Sequence, residues 1–474
     1  MINLKDILYA LTGQNFPQLD FPIHSTVIDS RQVSSGSLFI ALTGEHVDGH
    51  AYVQSAFKNG AHIALIEQDL PESLNTIDLR EGHFQPDLIN EITLPLCLRV
   101  EQTLTALQTI AAYWREKHPI PTVGITGSVG KTSTKELTAA LLSQKYAVLK
   151  NPGNRNNEIG LPLTLLELDK RHERAVLEMG FYVPGEIQLL CDIAHPQIGV
   201  VTNIGTVHAE RAGSQAVIAR GKAELVEALP AAPEGVAILN MDDPWVRKMA
   251  EQTQARVFTY GIETPSDLMA KDIQIHGLEG LSCVISAFGE EHSIRSPLLG
   301  KFSVNTILCA VAVALTEGLD WETITTGLAS SRLDLRLHPL KLPNGATILD
   351  DTYNASPAST IAALEFLHEL SGRRVAILGD MLELGQYEHS DHYAVGLTAS
   401  KTADYLVLIG ERVKIIASAA LENRFPKENM QLFPDSKSAA GHVLDLIQKD
   451  DMVLVKGSNI MRMDQIITTL KGGR

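Results

Sequence analysis

The residues of this 474-residue chain with the most direct chemical meaning are Gly127, Ser128, Val129, Gly130, Lys131, Thr132 and Ser133. Two closely spaced glycines let backbone amides fold around an anion, a lysine reaches terminal phosphates, and a neighbouring hydroxyl can bind magnesium. That combination predicts nucleoside triphosphate use. Ile125 stands where a full phosphate-loop pattern has its first glycine, so the alternative is a tight strand-to-helix turn with an ordinary surface lysine. Downstream, Glu178 and His208 each follow or end a short apolar run. Either could reach a metal near phosphates, because magnesium favours phosphate oxygens and a few protein groups. Taken singly, His208 reads as a structural hydrogen-bonding group. Lys222 shares a helical face with Ile218, Leu225 and Val226; such a lysine snorkels outward, carries a depressed pKa or is chemically changed. From the sequence alone, snorkelling is the expectation.

These groups need elements to present them. Thr122–Thr126 reads as a strand, and Leu137, Ala140 and Leu141 put one apolar face on a helix after the glycine turn. Before it, apolar runs at 37–42 and 62–66 and a helical stretch at 51–59 predict a small α/β domain over residues 1–99. Leu104, Leu107, Ala111 and Trp114 recur at helical spacing, and Pro119 and Pro121 end that helix. Runs at 174–179, 197–202 and 235–240 alternate with helical stretches, predicting a parallel sheet covered on both faces in a central domain, 100–334. A second alternation, with runs at 374–378, 405–409 and 452–455, predicts a doubly wound Rossmann-like domain over 335–474. The fold class is therefore α/β in three domains, with ligands at the carboxyl ends of the strands.

Composition removes several functions. Forty basic residues against 56 acidic ones give a net charge of −16, which repels nucleic acid and anionic membranes in the absence of a local basic cluster. Cys97, Cys191, Cys283 and Cys309 are too dispersed for a zinc pattern or a disulfide scaffold. No apolar run approaches the ~18 residues of a membrane span, and the start has no signal-like core. The expectation is a cytoplasmic monomer without membrane insertion or a nucleic-acid partner.

Longer motifs carry more. Asp29-Ser30-Arg31, Ala41-Leu42-Thr43-Gly44 and Asp48-Gly49-His50 precede the phosphate loop; Gly153-Asn154-Arg155-Asn156-Asn157, Asp350-Asp351-Thr352-Tyr353-Asn354 and Leu378-Gly379-Asp380-Met381-Leu382-Glu383-Leu384-Gly385 follow it. Read together they resemble the Mur ligase family, the ATP-dependent amide-forming enzymes of bacterial peptidoglycan synthesis, across all three domains. Within the family they are similar to the pattern of the member that adds D-alanyl-D-alanine to a UDP-N-acetylmuramoyl-tripeptide. The Asp-Asn-Pro-Arg motif typical of the diaminopimelate-adding member is absent.

The resemblance implies ATP on Gly127 to Ser133, with Asn305 near adenine, Asp351 at the ribose and Arg336 near the phosphates. It implies two magnesium sites, one near Thr132 and Glu178 and one near His208 and Lys222, with Lys222 carbamoylated. Ser30, Arg31 and Thr43 would meet the UDP-muramoyl end of the substrate, and Asn154, Asn156 and Asn157 would also bind substrate. Lys131, Glu178, His208 and Lys222 would be catalytic. Ser303 and Thr306 stand at two usual asparagine positions with Asn305 one place early; Asn459 replaces a common arginine, and Ser356 a common asparagine. Rival readings are the third-residue-adding ligase, a P-loop phosphotransferase, and a UDP-sugar-binding regulator with a decayed ATP site.

Overall fold

Strands buried on both faces require near-continuous apolar runs, and such runs organise most of this chain. The computed structural model describes residues 1–44, 47–70, 74–85, 92–331 and 337–472; Arg336 lies outside them. The chain divides into two compact units: residues 1–124, 146–180 and 186–197 form the first, and 125–145, 181–185 and 198–474 the second. The division cuts the strand Thr122–Thr126 after Gly124.

In the first unit, Ser25–Val27, Ser37–Ile40, Ala61–Ile66, Leu96–Arg99 and Thr76–Asp78 lie side by side in that order, all parallel. Phe39, Val53, Ala56, Ala64, Ile66 and Cys97 form part of its core. The helix expected at 51–59 is a 3₁₀ turn, Gly49–Tyr52, followed by the α-helix Val53–Lys58. Helix Thr103–Glu116 buries Ala106, Leu107, Ile110, Ala111 and Trp114, the i, i+3, i+4 stripe of an amphipathic helix. Leu104, expected on that stripe, is only partly buried. Val148–Lys150 and Arg174–Glu178 pair in parallel.

In the second unit, Ile198–Val201, Val236–Asn240, Arg256–Gly261 and Leu268–Ile275 are neighbours in parallel. Leu281–Ala287 and Glu290–Ser296 then continue the series antiparallel. The parallel part agrees with the expected sheet; the antiparallel edge was not anticipated from the sequence. In Leu281–Ala287 buried and half-buried residues alternate, the signature of a strand with one wetter face.

The same unit holds a six-stranded sheet. Its strands run His338–Lys341, Thr347–Asp351, Met452–Lys456, Arg374–Gly379, Tyr405–Ile409 and Met430–Phe433; only the first pairs antiparallel. Ala376 and Leu378 belong to one core cluster, and Val375 and Ile377 to the other. Alternate residues of one strand thus feed two buried faces, as a doubly wound fold requires. All four cysteines are buried and none forms a disulfide. Among the described residues no helix is long and apolar enough to cross a membrane.

Candidate active site

The phosphate loop begins where the fully buried strand Thr122–Thr126 ends. Gly127 follows at φ 145°, and a Cβ there would lie 1.9 Å from Thr202 Oγ1, so only glycine passes this point. Gly130, at φ 87°, stands at the start of helix Lys131–Leu142, which has no side-chain cap. Its first amides are therefore left for an anion. Lys131 Nζ arches back to donate to the carbonyls of Gly127 at 2.7 Å and Ser128 at 3.3 Å.

The loop is held from the end of a neighbouring strand. Ser128 N–H donates to the Asn203 carbonyl and Val129 N–H to Asn203 Oδ1, both at 2.9 Å. Asn203 Nδ2 and Thr202 Oγ1 donate to the Val129 carbonyl at 2.9 and 2.7 Å. Thr202 and Asn203 hold the loop in this way and were not assigned from the sequence. Their only signal was position, at the end of the apolar run 197–202 and directly after it.

Two cavities adjoin this loop and share Val129, Gly130 and Thr132 in their walls. The larger, of about 220 Å³, is lined by Tyr260, Leu299, Phe302, Asn305, Thr306 and Asp351, among others. Asn305 Oδ1 is buried there without a hydrogen-bond partner, an acceptor suited to an exocyclic amine. Ser303 Oγ instead donates to the Leu299 carbonyl of its own chain segment at 2.6 Å. Asp351 Oδ2 accepts from Lys456 Nζ at 2.5 Å while its Oδ1 has no partner; both side chains are almost fully buried. Lys456 is not among the residues assigned from the sequence. The smaller cavity, of about 60 Å³, has Ser128, Lys131, Thr132, His208, Asn354 and Ser356 in its wall. A more apolar chamber that shares its wall with a small polar one suits a base and its phosphates.

His208 adopts φ 69° at the start of the short helix Ala209–Ala212. Its Nδ1 lies 2.5 Å from Glu383 Oε2, and the Tyr182 ring meets it edge-on at 4.7 Å. Burial, aided by the positive charges of Lys131 and Lys222 and opposed by Glu383, lowers its pKa to about 4. At neutral pH the imidazole is uncharged, the form that binds metals.

Lys222 corrects the snorkelling expectation. On helix Gln215–Glu227 it is only 1 % exposed, and its Nζ stands 4.7 Å from the centre of the Phe181 ring. The apolar face was read correctly from the spacing, but the amine goes inward with it.

In the first unit Glu178 ends the strand Arg174–Glu178 and is buried. Asn156 Nδ2 donates to its Oε1 at 2.8 Å, whereas Oε2 has no hydrogen-bond partner. A buried carboxylate oxygen left open in this way suits a cation. Asn151, unassigned from sequence, bonds both the N–H and the carbonyl of Glu178 at 2.9 Å. Asn157 Oδ1 accepts from the Gly160 N–H at 2.9 Å and Asn154 is exposed. Ser30 is buried on the turn Ser30–Gln32, beside Arg31, whose side chain is 88 % exposed and paired with Asp29. Thr43 Oγ1 donates to Glu67 Oε1 at 3.1 Å. Among the described residues no three His, Cys, Asp or Glu side chains converge as a protein-only metal cage.

Three family models match the chain: Mur ligase family, catalytic domain, over residues 22–114; Mur ligase middle domain over 125–314; and Mur ligase, glutamate ligase domain, over 335–459. The UDP-N-acetylmuramoyl-tripeptide--D-alanyl-D-alanine ligase of Synechocystis sp. is 37 % identical over 95 % of this chain and 92 % of its own length. The Bacillus subtilis ligase of the same name is 34 % identical over 94 % and 93 %. Among solved structures, MurF from Acinetobacter baumannii superposes with a TM-score of 0.83 at 29 % identity, covering 99 % of this chain and 98 % of that one. MurF from Thermotoga maritima in complex with ADP gives 0.79 at 26 %, covering 98 % of each.

Proposed function

Since this chain belongs to the Mur ligase family, we propose that it joins UDP-N-acetylmuramoyl-tripeptide to D-alanyl-D-alanine, cleaving ATP to ADP and phosphate. The choice of reaction is carried by similarity along nearly the whole chain to ligases of that one name. The use of ATP is supported by the paired cavities on the phosphate loop and by the ADP complex of a structural relative. Neither the third-residue-adding ligase nor a phosphotransferase draws comparable support.

The chemistry sets what the residues must do. A carboxylate is a poor electrophile, so its oxygen first attacks the γ-phosphorus of ATP while the bond to the β-phosphate oxygen breaks and ADP leaves. The amine then adds to the acyl carbon, phosphate departs with the C–O bonding pair, and the nitrogen gives up its extra proton. Two anions meet in the first step, so Lys131 and the N-terminus of helix Lys131–Leu142 would offset their charge. Asn305 would accept from the adenine amine and Asp351 from a ribose hydroxyl, as their unpartnered buried oxygens allow. Arg336 is assigned to the phosphates by resemblance alone.

Two magnesium ions would draw ligands from Thr132, Glu178, His208 and a carbamoylated Lys222. Bound magnesium would neutralise phosphate charge and polarise the γ-phosphate. Lys222 is enclosed with the apolar face of its helix; carbamoylation would join its amine nitrogen to carbon dioxide and release a proton, leaving an anionic carbamate. Ser30, Arg31, Thr43, Asn154, Asn156 and Asn157 are assigned to the muramoyl substrate. The functional division is residues 1–99 for that substrate, 100–334 for ATP and 335–474 for the Rossmann-like domain. The reading places a monomer in the cytoplasm.

Phosphate and ADP release measured with the tripeptide, with the dipeptide, and with both together tests the function. A ligase releases both products in equal amounts only when both substrates are present. ADP release with one acceptor and no free phosphate would instead identify a phosphotransferase.

A further inference from the structure

We propose that Glu383 is a positioning residue for His208, and that it acts only while the loop 380–387 is seated against residues 206–215. The inference rests on the ligase reading, in which His208 is a magnesium ligand. Glu383 Oε2 lies 2.5 Å from His208 Nδ1. A carboxylate only accepts hydrogen bonds, so Nδ1 carries the proton and Nε2 keeps its lone pair. Metal-binding imidazoles are commonly held this way by a carboxylate on the other nitrogen, which fixes both tautomer and ring orientation.

The origin of this carboxylate gives the contact its meaning. The two residues are 175 positions apart. His208 follows the strand Ile198–Val201, whereas Glu383 follows Arg374–Gly379 in the six-stranded sheet. Both hold left-handed backbone, at φ 69° and 63°, which side chains disfavour and surrounding contacts must enforce. Those contacts are present. Glu210 N–H donates to the Glu383 carbonyl at 3.2 Å, and Thr206 Oγ1 to Asp391 Oδ2 at 2.6 Å. Gln386 Nε2 donates to the Gly213 carbonyl at 3.0 Å, and Gln215 N–H to Tyr387 Oη at 3.4 Å. A Cβ on Gly385 would come within 3.0 Å of the Glu210 backbone, so the seat leaves little room. Seating therefore delivers the carboxylate, and unseating frees Nδ1 to become the lone-pair nitrogen. His208 lines the same small cavity as Lys131 and Thr132, so a change of tautomer acts where phosphate chemistry occurs. The ligand set is completed only by a seated loop.

The test uses the full chain as wild type, Glu383→Ala, Glu383→Gln and Gln386→Ala. Heteronuclear NMR of labelled histidine reads the His208 tautomer, with His208→Asn identifying the signal. Manganese affinity in the presence of a non-hydrolysable ATP analogue is read by electron paramagnetic resonance, and turnover by phosphate release. Glu383→Ala is expected to move His208 toward the Nε2–H tautomer and to lower manganese affinity and kcat by roughly 10–100-fold. Glu383→Gln, whose Oε1 still accepts from Nδ1–H, should keep the tautomer and most of the turnover. Gln386→Ala removes a seating bond but not the carboxylate, so it should retain Nδ1–H and lose less turnover than Glu383→Ala. An unchanged tautomer and manganese affinity in Glu383→Ala would overturn the proposal, as would equal losses in the alanine and glutamine variants. Wild-type protein that releases no phosphate with both substrates would count against the ligase reading, while the tautomer and manganese measurements would still decide the role of Glu383.

Discussion

Lys131 and Lys222 show how differently two lysines can be held in one fold. Lys131 bends over the loop carbonyls beside a cavity and contributes little to the core. Lys131→Ala is therefore expected to keep the wild-type circular dichroism while phosphate release falls by roughly 10²–10³-fold, the usual cost of removing one charge-stabilising donor. Lys222 is buried on an otherwise apolar helix face against Phe181. Its replacement by alanine should remove most activity, and acetate should restore part by standing in for the proposed carbamate; full activity without acetate would sink the assignment. The phosphate loop was legible because its residues are contiguous and their spacing is dictated by the ligand. The direction taken by Lys222 was not, since the same helical spacing suits a lysine that snorkels and one that is enclosed. Glu383 could not be paired with His208 at all, because nothing local links positions 175 residues apart.

The strand ends decide how well the loop is formed before nucleotide arrives. Asn203 bonds the loop backbone through its carbonyl and both side-chain ends, and Thr202 adds a further bond to Val129. Asn203→Ala strips partners from Val129, and a lost buried bond costs about 1–3 kcal/mol. That converts to roughly 5–150-fold weaker ATP binding if the loss falls on the bound state, measurable by calorimetry, with a larger effect on KM for ATP than on kcat. Asn151→Ala tests the parallel device at Glu178, and a fall in stability of about 1–3 kcal/mol in urea unfolding is expected because the backbone groups it leaves are buried. Most central strands were legible because burial on both faces writes an unbroken apolar run. The antiparallel edge was not read, since Leu281–Ala287 alternates and Glu290–Ser296 begins with two glutamates and a histidine. Neither stretch has the run that marks a parallel strand.

At the scale of the whole molecule, the six-stranded sheet contributes to the site through its strand ends and the loops that follow them. Asp351, Asn354 and Lys456 enter the cavity walls, and Glu383 reaches His208. Adding an ATP analogue and both substrates is expected to slow hydrogen exchange at the Glu210 amide, which donates to the Glu383 carbonyl; unchanged exchange would mean that the loop stays seated regardless of ligand. Sequence pattern anticipated the doubly wound domain, because Val375 and Ile377 face one core and Ala376 and Leu378 the other. Its seating contacts could not be anticipated, being single polar groups scattered over the turns from Thr206 to Gln215 and from Glu383 to Asp391. That polarity has a consequence for solvent. Each of these bonds is one that water can replace with little enthalpic loss, so any opening of the joint is expected to proceed with its hydration. Water itself then acts as a competitor of the loop, and solutes excluded from protein surfaces, such as sucrose, should shift the enzyme toward the seated form.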